Sequence, residues 1–422
     1  MNRPVLSASI CLCLLTACAQ FPSNDPASAG SAQSGALRVF LLDADHLLSI
    51  RQRLRDGDRS LAPALTRLEQ DAKGALNAGP YSVVNKDQVP PSGDKHDYMS
   101  LGPYWWPNPD TADGLPYVQR DGERNPEIYQ VRNRLDLGEM CDHVETLAVA
   151  WFHTGEEAYA EKAALLLRTW FLDPATLMNP NLEFGQAVKG HNTGRGIGLI
   201  ETRSLARVVD AIGLLAGSKA WTAKDRNGMK DWFDQFLQWM LESGHGRDEA
   251  AKENNHGTYY DVQIASYAFF VGKPEVARKA LAEVGTKRIA VQIEPDGRQP
   301  LELDRTKAWS YSVGNLAGLM SLARLGERVG VDLWRFETDD GRSIRKALDY
   351  LVPFGIGERE FPYPQINGWS ADIFYPLLRL AARKYPEGSY RTLLTKIPSA
   401  DPASRSHLVR SPLEPVNQLH VR

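Results

Sequence analysis

Apolar residues recur at helical spacing along most of the chain. Within residues 156–172, for example, Ala163, Leu166 and Trp170 fall on one helix face. The same spacing predicts helices at 45–76 (with a break near residue 57), 135–152, 156–172, 198–216, 222–243, 257–271, 274–285, 311–329, 341–352 and 369–385. Strand-like alternation is convincing only over residues 289–293. Long helices joined by short polar loops predict an all-α array of helix pairs.

One long segment, residues 80–130, lacks this spacing and is rich in Pro, Gly and aromatic residues. A loop of this length within a compact domain is usually functional. The composition therefore divides the chain into a signal peptide (1–17), a flexible tether (18–36), a helical domain (37–390) and a weakly ordered C-terminal tail (391–422).

The N-terminus has the features of an export signal. Arg3 precedes an apolar stretch, Val5 to Ala17, that is too short for a comfortable transmembrane helix. The stretch ends Leu15-Thr16-Ala17-Cys18, which resembles a bacterial lipobox. An ordinary secretory signal with a coincidental cysteine is the alternative.

The lipobox resemblance implies that Cys18 carries lipid, and that the protein is an exported, periplasmic or outer-membrane lipoprotein of a Gram-negative bacterium. Ala19 and Gln20 follow the cysteine, which favours the outer membrane. Cys11 and Cys13 leave with the signal. Cys141 then remains alone, so no internal disulfide is expected.

The overall charge limits the choice of partners. The 422 residues carry a formal net charge of -3, so binding to nucleic acid is not expected, and an acidic substrate needs a local basic groove. The nine histidines show no zinc-ligand spacing. We therefore expect no metal, no cofactor and no evident protein partner.

Four residues in two nearby stretches suggest a specific chemistry. Asn255 and His256 are followed about fifty residues later by Arg305 and Tyr311. The amide and guanidinium can neutralise a carboxylate, while the imidazole and phenol can move protons. This combination suits proton removal beside a carboxylate with loss of the neighbouring sugar oxygen. A helix start with ordinary core polar residues is the alternative for Asn255 and His256.

Further residues have the character of sugar-binding groups. Aromatic rings pack on pyranose faces, and basic or amide side chains bind carboxylates and hydroxyls. The candidates are Lys95, His96, Tyr98, Trp105, Trp106, His191, Asn192, Arg195, Tyr259 and Trp309. The alternatives are aromatic residues that fill the core, and a solvated Gly-rich loop at 190–198.

Residues from about 40 to 385 resemble the alginate lyase domain family of bacterial polysaccharide lyases. The resemblance is carried by 96–100 (His-Asp-Tyr-Met-Ser), 103–107 (Pro-Tyr-Trp-Trp-Pro), the Asn-His-Gly turn at 255–257, and Arg305 with Tyr311. It implies an α/α toroid, an incomplete barrel of helical hairpins, with the long aromatic loop over the cleft. It also implies β-elimination on uronate polymers. Asn255 and His256 match the family's Asn-His pair, Arg305 its carboxylate-side arginine and Tyr311 its catalytic tyrosine.

Two departures leave the substrate open. Gly257 stands where periplasmic mannuronate lyases have Ser, and the spacing from Arg305 to Tyr311 is slightly shorter. The chain looks closer to a sister branch that cleaves alginate and glucuronan. In D-mannuronate and D-glucuronate the C5 proton and C4 oxygen share a ring face, so Tyr311 can serve both, and Arg305 is expected to favour its phenolate. In L-guluronate they lie on opposite faces, and His256 is the natural base.

Two other functions compete with the lyase. An inverting glycoside hydrolase on a helical barrel would draw its carboxylate pair from Asp261, Glu302 and Asp304. A surface glycan-binding lipoprotein without catalysis would use the tryptophans.

Overall fold

Helices make up most of the described chain. The computed structural model describes Met1 and residues 37–409, so Cys18, the predicted tether and the end of the predicted tail lie outside the described residues. The helices are α1 (Ala44–Arg55), α2 (Ala62–Ala75), α3 (Asn133–Thr154), α4 (Glu157–Phe171), α5 (Leu205–Leu214), α6 (Ala223–Glu242), α7 (Gly244–Ala250), α8 (Asn255–Val271), α9 (Pro274–Val284), α10 (Ala290–Gln292), α11 (Pro300–Leu303), α12 (Ala308–Glu327), α13 (Ile344–Gly355), α14 (Tyr375–Lys384), α15 (Tyr390–Leu393) and α16 (Ser406–Val409). Single 3₁₀ turns occupy Arg59–Leu61, Pro126–Gln130, Gly196–Thr202, Ala371–Ile373 and Leu394–Lys396, with a π turn at Gly285–Ile289.

The helices form two layers. In the inner layer α3 packs on α5, α5 on α8, α8 on α12 and α12 on α13, while α4, α6 and α9 cover them from outside. Fourteen of the seventeen residues of α8 are buried, against three of the eleven in α9, because the inner helix is enclosed on nearly every side. The predicted all-α class is confirmed, and the double layer is that of an α/α toroid.

Local sequence explains where the main helices begin and end. Thr222 and Asp225 form a reciprocal capping box at the start of α6. Gly155 and Gly272 end α3 and α8 in the left-handed conformation that glycine adopts without a Cβ penalty. Pro274 opens α9, where its missing N–H has no helical partner to lose.

The strand predicted over residues 289–293 is wrong. This stretch is the end of a π turn followed by α10. Ile289 and Ile293 are fully buried, whereas Val291 is exposed. Two apolar residues four positions apart share one face of a helix, and they also share one face of a strand. In a stretch of five residues the hydrophobic pattern therefore cannot distinguish a helical turn from a strand.

The long segment is non-helical until the turn at Pro126–Gln130, and short strands fix it to the domain. β1 (Met99–Leu101) pairs in parallel with β4 (Phe184–Ala187), and β2 (Trp105–Trp106) pairs antiparallel with β3 (Val118–Gln119). At its start the buried Lys86 ammonium donates to three main-chain carbonyls, those of Val83, Lys95 and Asp97. The segment is therefore an ordered wall.

The C-terminal part differs from the weakly ordered tail that composition predicts. Up to residue 409 it contains α15, a 3₁₀ turn and α16, which contacts α1 and α2. Leu408 is fully buried, and its carbonyl accepts a hydrogen bond from His153 Nε2 at 3.2 Å. Within the described residues, no helix is long and apolar enough to cross a membrane.

Candidate active site

A cleft of about 600 Å³ opens between the long segment and the inner helices. Its walls come from the long segment, residues 186–203, the start of α8, and residues 305–315. Seven cationic side chains line it and no carboxylate does, although the chain as a whole is slightly acidic. The seven are Arg124, Arg134, Arg195, Arg203, Lys252, Arg305 and Lys307. This cleft is the local basic groove that an acidic substrate requires.

Tyr311 lies in the first turn of α12 at the centre of a polar cluster. Arg305 Nη2 donates to its hydroxyl at 2.8 Å, and the Arg305 Cζ lies 3.8 Å from the Tyr311 ring centroid. On the other side the hydroxyls of Tyr311 and Tyr104 share a hydrogen bond of 3.0 Å. The predicted Arg305–Tyr311 pairing is therefore present, with a tyrosine of the long segment as a third member.

Tyr311 keeps its proton at neutral pH. Burial raises the pKa of Tyr311 above the ordinary phenol value, and the hydrogen bond with Tyr104 adds to the rise. The Arg305 charge lowers the pKa but is the weaker influence. The expectation that Arg305 favours the phenolate is thus outweighed, and the resting group is a neutral phenol suited to donate a proton.

Asp121, from the long segment, holds Arg305 in place. Its carboxylate accepts from Arg305 Nε at 3.1 Å and Nη2 at 2.5 Å, and from the Thr306 main-chain N–H at 3.0 Å. Burial alone would raise the pKa of Asp121, but the Arg305 and Thr306 hydrogen bonds leave it lowered. Nη1 of Arg305 has no hydrogen-bond partner within the described part of the chain, so this nitrogen remains for a ligand.

His256 stands at the start of α8, where the Asn254 side chain caps the helix by accepting the His256 main-chain N–H at 3.1 Å. Its Nδ1 lies 2.8 Å from Oε1 of Glu249, whose side chain is fully buried. A carboxylate can only accept from Nδ1, which places the proton there in the neutral ring and leaves the Nε2 lone pair free. The imidazole is therefore arranged as a base.

The glycine at position 257 has a steric reason. A Cβ there would lie 2.0 Å from the Lys252 carbonyl and 2.4 Å from Arg288 Nη1. Arg288 cannot move aside because it is buried and bound to Asp261 at 2.7 Å. A serine, like any residue with a Cβ, does not fit this packing.

Asn255 lies at the start of α8, where it lines the cleft beside His256. Its Nδ2 donates to both oxygens of Glu302, at 3.0 and 2.8 Å, and its main-chain N–H donates to the same carboxylate. The two amide protons point in different directions, whereas the two oxygens belong to one carboxylate, so Glu302 uses one of these protons. Asn255 is largely buried but belongs to the cleft lining. The residue therefore anchors the start of α8 to Glu302 and keeps one amide N–H for a ligand.

Three predicted sugar-binding residues line the cleft. Trp105 comes from β2, Arg195 follows the Gly-rich loop, and Tyr259 lies one turn into α8. The Arg203 guanidinium covers the Tyr259 ring at 5.7 Å, and the Tyr259 hydroxyl donates to the Gly314 carbonyl at 2.9 Å.

Two predicted sugar-binding residues belong to the core. Trp309 is fully buried and packs against Trp369 and Phe374, because it points away from the cleft at the start of α12. Tyr98 is also fully buried, and its hydroxyl donates to Glu201 at 2.8 Å. The core alternative is the right one for both.

The other predicted sugar-binding residues lie beside the cleft or away from it. Lys95 Nζ donates to the Lys86 carbonyl, and His96 Nδ1 donates to the Leu177 carbonyl. Trp106 lies in β2 under the Arg120 guanidinium, and His191 contacts Trp105. The Asn192 side chain accepts from the Val188 N–H.

The carboxylates proposed for a hydrolase do not line the cleft. Glu302 is buried on Asn255, and Asp261 is buried on Arg288. Asp304 does not belong to the cleft lining either. Within the described residues, no group of His, Cys, Asp and Glu is placed to hold a metal ion. The hydrolase alternative therefore lacks its acid–base pair.

Sequence reasoning missed Tyr104, Asp121, Glu249 and Gln186. Tyr104 lay beside the Trp pair, so its signal was present but was assigned to the tryptophans. Glu249 stands seven residues before His256, the spacing of two helical turns, although the chain between them is not one helix. Asp121 and Gln186 carried no signal, because their partners are distant in the chain.

Comparisons with known proteins identify the family of the chain. A family model described as alginate lyase matches residues 82–361. The chain is similar to the crystal structure of an alginate lyase from Bacteroides ovatus, with 40% identity over 89% of this chain and 99% of that chain, and a TM-score of 0.85. A comparison with curated protein sequences gave no match.

Two further structures show the fold alone, because each is only 16% identical to this chain. One is alginate lyase A1-III from Sphingomonas species A1, with a TM-score of 0.55 over 88% of this chain and 95% of that one. The other is a histidine-to-alanine variant of alginate lyase A1-III complexed with tetrasaccharide, with a TM-score of 0.58 over 90% of this chain and 98% of that one.

Proposed function

We propose that this chain, which belongs to the alginate lyase family and is a polysaccharide lyase, cleaves a uronate polymer, alginate or glucuronan, by β-elimination. The observation that carries the proposal is the lining of the cleft that holds Tyr311 and His256, which includes seven cationic side chains and no carboxylate. Each sugar of such a polymer carries one negative charge, so the groove and the substrate have complementary charges.

Arg305 neutralises the carboxylate of the reacting sugar. The C5 proton becomes removable when that carboxylate is neutralised, because the intermediate resembles an enolate dianion. Asp121 fixes Arg305 through Nε and Nη2, which leaves Nη1 to bind the carboxylate. Asn255 secures the helix start that presents His256 through its bonds to Glu302, and its second amide N–H can donate to the same sugar carboxylate.

Protons then move by one of two routes. When the C5 proton and C4 oxygen lie on opposite faces, His256 Nε2 takes the proton and neutral Tyr311 gives its own to the leaving oxygen. When they share a face, Tyr311 first loses its phenol proton to solvent, then takes the C5 proton as phenolate and gives that proton to the leaving oxygen. In each route the C5–H electrons form the C4–C5 double bond as the C4–O bond breaks, and no water is added.

The reaction class is tested on purified protein with a panel of uronate polymers. We expect products with an ultraviolet-absorbing double bond conjugated to the carboxylate. Digestion in heavy-oxygen water is the control, because elimination leaves the new ends unlabelled. Saturated reducing ends that carry the label would contradict the proposal and support hydrolysis.

We also propose that the enzyme is a lipoprotein held at a membrane through Cys18. The support is the Leu-Thr-Ala-Cys stretch that ends at Cys18, which resembles a lipobox. Replacing Cys18→Ala is expected to move the enzyme to a soluble fraction without changing its turnover. A variant that still fractionates with membranes would contradict the anchor.

A further inference from the structure

Arg195 lies on the cleft wall, where the Glu201 and Glu249 carboxylates attract its charge from beyond salt-bridge distance. Nε donates to the Gln186 carbonyl at 2.9 Å, and Nη2 donates to Gln186 Oε1 at 3.1 Å. Among the residues that the structure describes, no carboxylate lies within salt-bridge distance of Arg195, and Nη1 has no hydrogen-bond partner. Because a guanidinium stays protonated in proteins, the cleft wall holds a fixed cation with N–H groups left for an anion.

The neighbours of Arg195 restrict its movement. The Cζ atom lies 5.5 Å from the Trp105 ring centroid, in cation–π range. A Cβ at Gly102 would lie 2.8 Å from Trp105 and 2.9 Å from Arg195 Nη2, so that position has room only for glycine. The edge of His191 contacts Trp105 as well, with ring centroids 5.1 Å apart. The Trp105 ring therefore supports the guanidinium of Arg195, and much of its surface is covered by Arg195 and His191.

Gln186 holds Arg195 at the expense of backbone strain. Its φ is +51°, a left-handed conformation that is uncommon for a residue other than glycine. Two hydrogen bonds hold this conformation. The Gln186 N–H donates to Ser100 Oγ at 2.8 Å, and the Ser100 hydroxyl donates to the buried Glu201. Strain of this kind persists where the surroundings enforce it, and it clusters at ligand sites.

We propose that Arg195, seated on Trp105 and Gln186, binds the carboxylate of a second uronate in the same polymer chain. Arg305 is committed to the reacting sugar through its bond to Tyr311, and Arg195 hydrogen-bonds neither residue. The two arginines thus bind the carboxylates of two different sugars. The enzyme therefore prefers polymer chains that carry at least two ionised uronates. This subsite rests on the proposed uronate substrate and deepens it.

The first experiment compares a polymer that the wild type cleaves with the same polymer after partial methyl esterification. For Arg195→Ala we expect kcat/KM on the ionised polymer to fall roughly 10- to 100-fold, the range for hydrogen bonds to a charged group. The ratio of kcat/KM on the ionised polymer to that on the esterified polymer is also expected to be smaller for Arg195→Ala than for the wild type. The reason is that an esterified sugar cannot form the charged contact with Arg195 in either enzyme. Arg195→Lys keeps the positive charge but loses the planar guanidinium. Its kcat/KM should therefore lie between those of the wild type and Arg195→Ala.

The matched control is Arg335→Ala, which removes one positive charge from an arginine that is 89% exposed and outside the cleft. It should leave both polymers at wild-type rates. An Arg195→Ala enzyme with the wild-type rate and preference would overturn the subsite. An equal loss on both polymers would also overturn it, because the defect would then lie in the reacting centre or in folding.

The second experiment needs no turnover. In a Tyr311→Phe background, calorimetric affinity for short uronate oligomers is expected to fall by a similar factor when Arg195→Ala is added. If the wild type gives no unsaturated product while this affinity loss is seen, the proposed reaction fails and the subsite stands. If unsaturated product forms but the affinity is unchanged, the subsite fails and the reaction stands.

Discussion

The two walls of the cleft that hold His256 and Tyr311 are supported by carboxylates from different parts of the chain. Behind His256 stands Glu249, seven residues away in the chain and fully buried. Behind Arg305 and Tyr311 stands Asp121, 184 residues from Arg305 in the chain, with its side chain 25% exposed. The base on the His256 wall thus depends on a short stretch around two adjoining helices, whereas the Tyr311 wall is complete only when the long segment lies across the domain.

The difference has consequences for the proposed reaction. A buried carboxylate with one close partner fixes which imidazole nitrogen carries the proton. A partly exposed carboxylate on a loop positions an arginine but remains open to solvent, so its loss is better tolerated. We therefore expect the two walls to respond differently to substitution, to substrate stereochemistry and to pH.

The largest effect is expected from Tyr311→Phe, which keeps the ring and removes the hydroxyl shared with Arg305 and Tyr104. General acid–base catalysis is worth about 10²–10⁴-fold, so kcat should fall within that range with little change in KM. The matched control is Tyr350→Phe, which removes a hydroxyl from another tyrosine pair, 2.9 Å from Tyr363 and outside the cleft. Near-normal turnover of folded Tyr311→Phe would make Tyr311 a core residue.

Glu249→Gln tests the His256 wall. A glutamine can donate to Nδ1 and so move the imidazole proton to Nε2, which blocks the base. On polymers whose proton and leaving oxygen lie on opposite faces, we expect kcat to fall about 10- to 100-fold, typical for a partner behind a reacting group. Same-face polymers are the internal control and should be cleaved almost normally. An equal loss on both kinds of polymer would mean that Glu249 supports folding only.

The pH dependence of the rate separates the two routes. Burial raises the pKa of Tyr311, so in the same-face route the phenolate fraction, and with it the rate, should rise up to about tenfold per pH unit from neutral into the alkaline range. In the opposite-face route neutral Tyr311 donates its proton, and raising the pH brings no such gain. Rate profiles on mannuronate-rich and guluronate-rich polymers measure this, and parallel profiles would contradict the two-route scheme.

The smallest effect is expected from Asp121→Asn. Arg305 keeps its charge and its bond to Tyr311 but loses its orienting carboxylate, so we expect kcat/KM to fall by roughly a few-fold to tenfold. The folded pKa of Asp121 is lowered, so its contribution to stability is present above the ordinary value and lost as pH falls through the folded value. Thermal melts at acid pH measure that loss. Asp296→Asn removes the exposed partner of Arg298 and is the control.

The sequence by itself determined the helical fold and the four central residues. Helical periodicity is a property of neighbouring positions, so most helices, including α3, α4, α6 and α8, are found within a few residues of their predicted bounds. Asn255, His256, Arg305 and Tyr311 were recognisable because their functional groups suit one reaction and stand in two short stretches. The resemblance to the alginate lyase family rested on the same residues.

Only the tertiary structure decided what each of those groups contacts. Whether an aromatic residue faces a sugar or the core depends on the direction of its side chain, and Trp105 and Trp309 look alike in sequence yet lie in the cleft and the core respectively. Burial also reversed an expectation drawn from charge alone, because it outweighs Arg305 in setting the pKa of Tyr311. Desolvation arises when segments distant in the chain pack together, and so does long-range pairing such as that between Asp121 and Arg305. Local sequence patterns therefore cannot predict either of them.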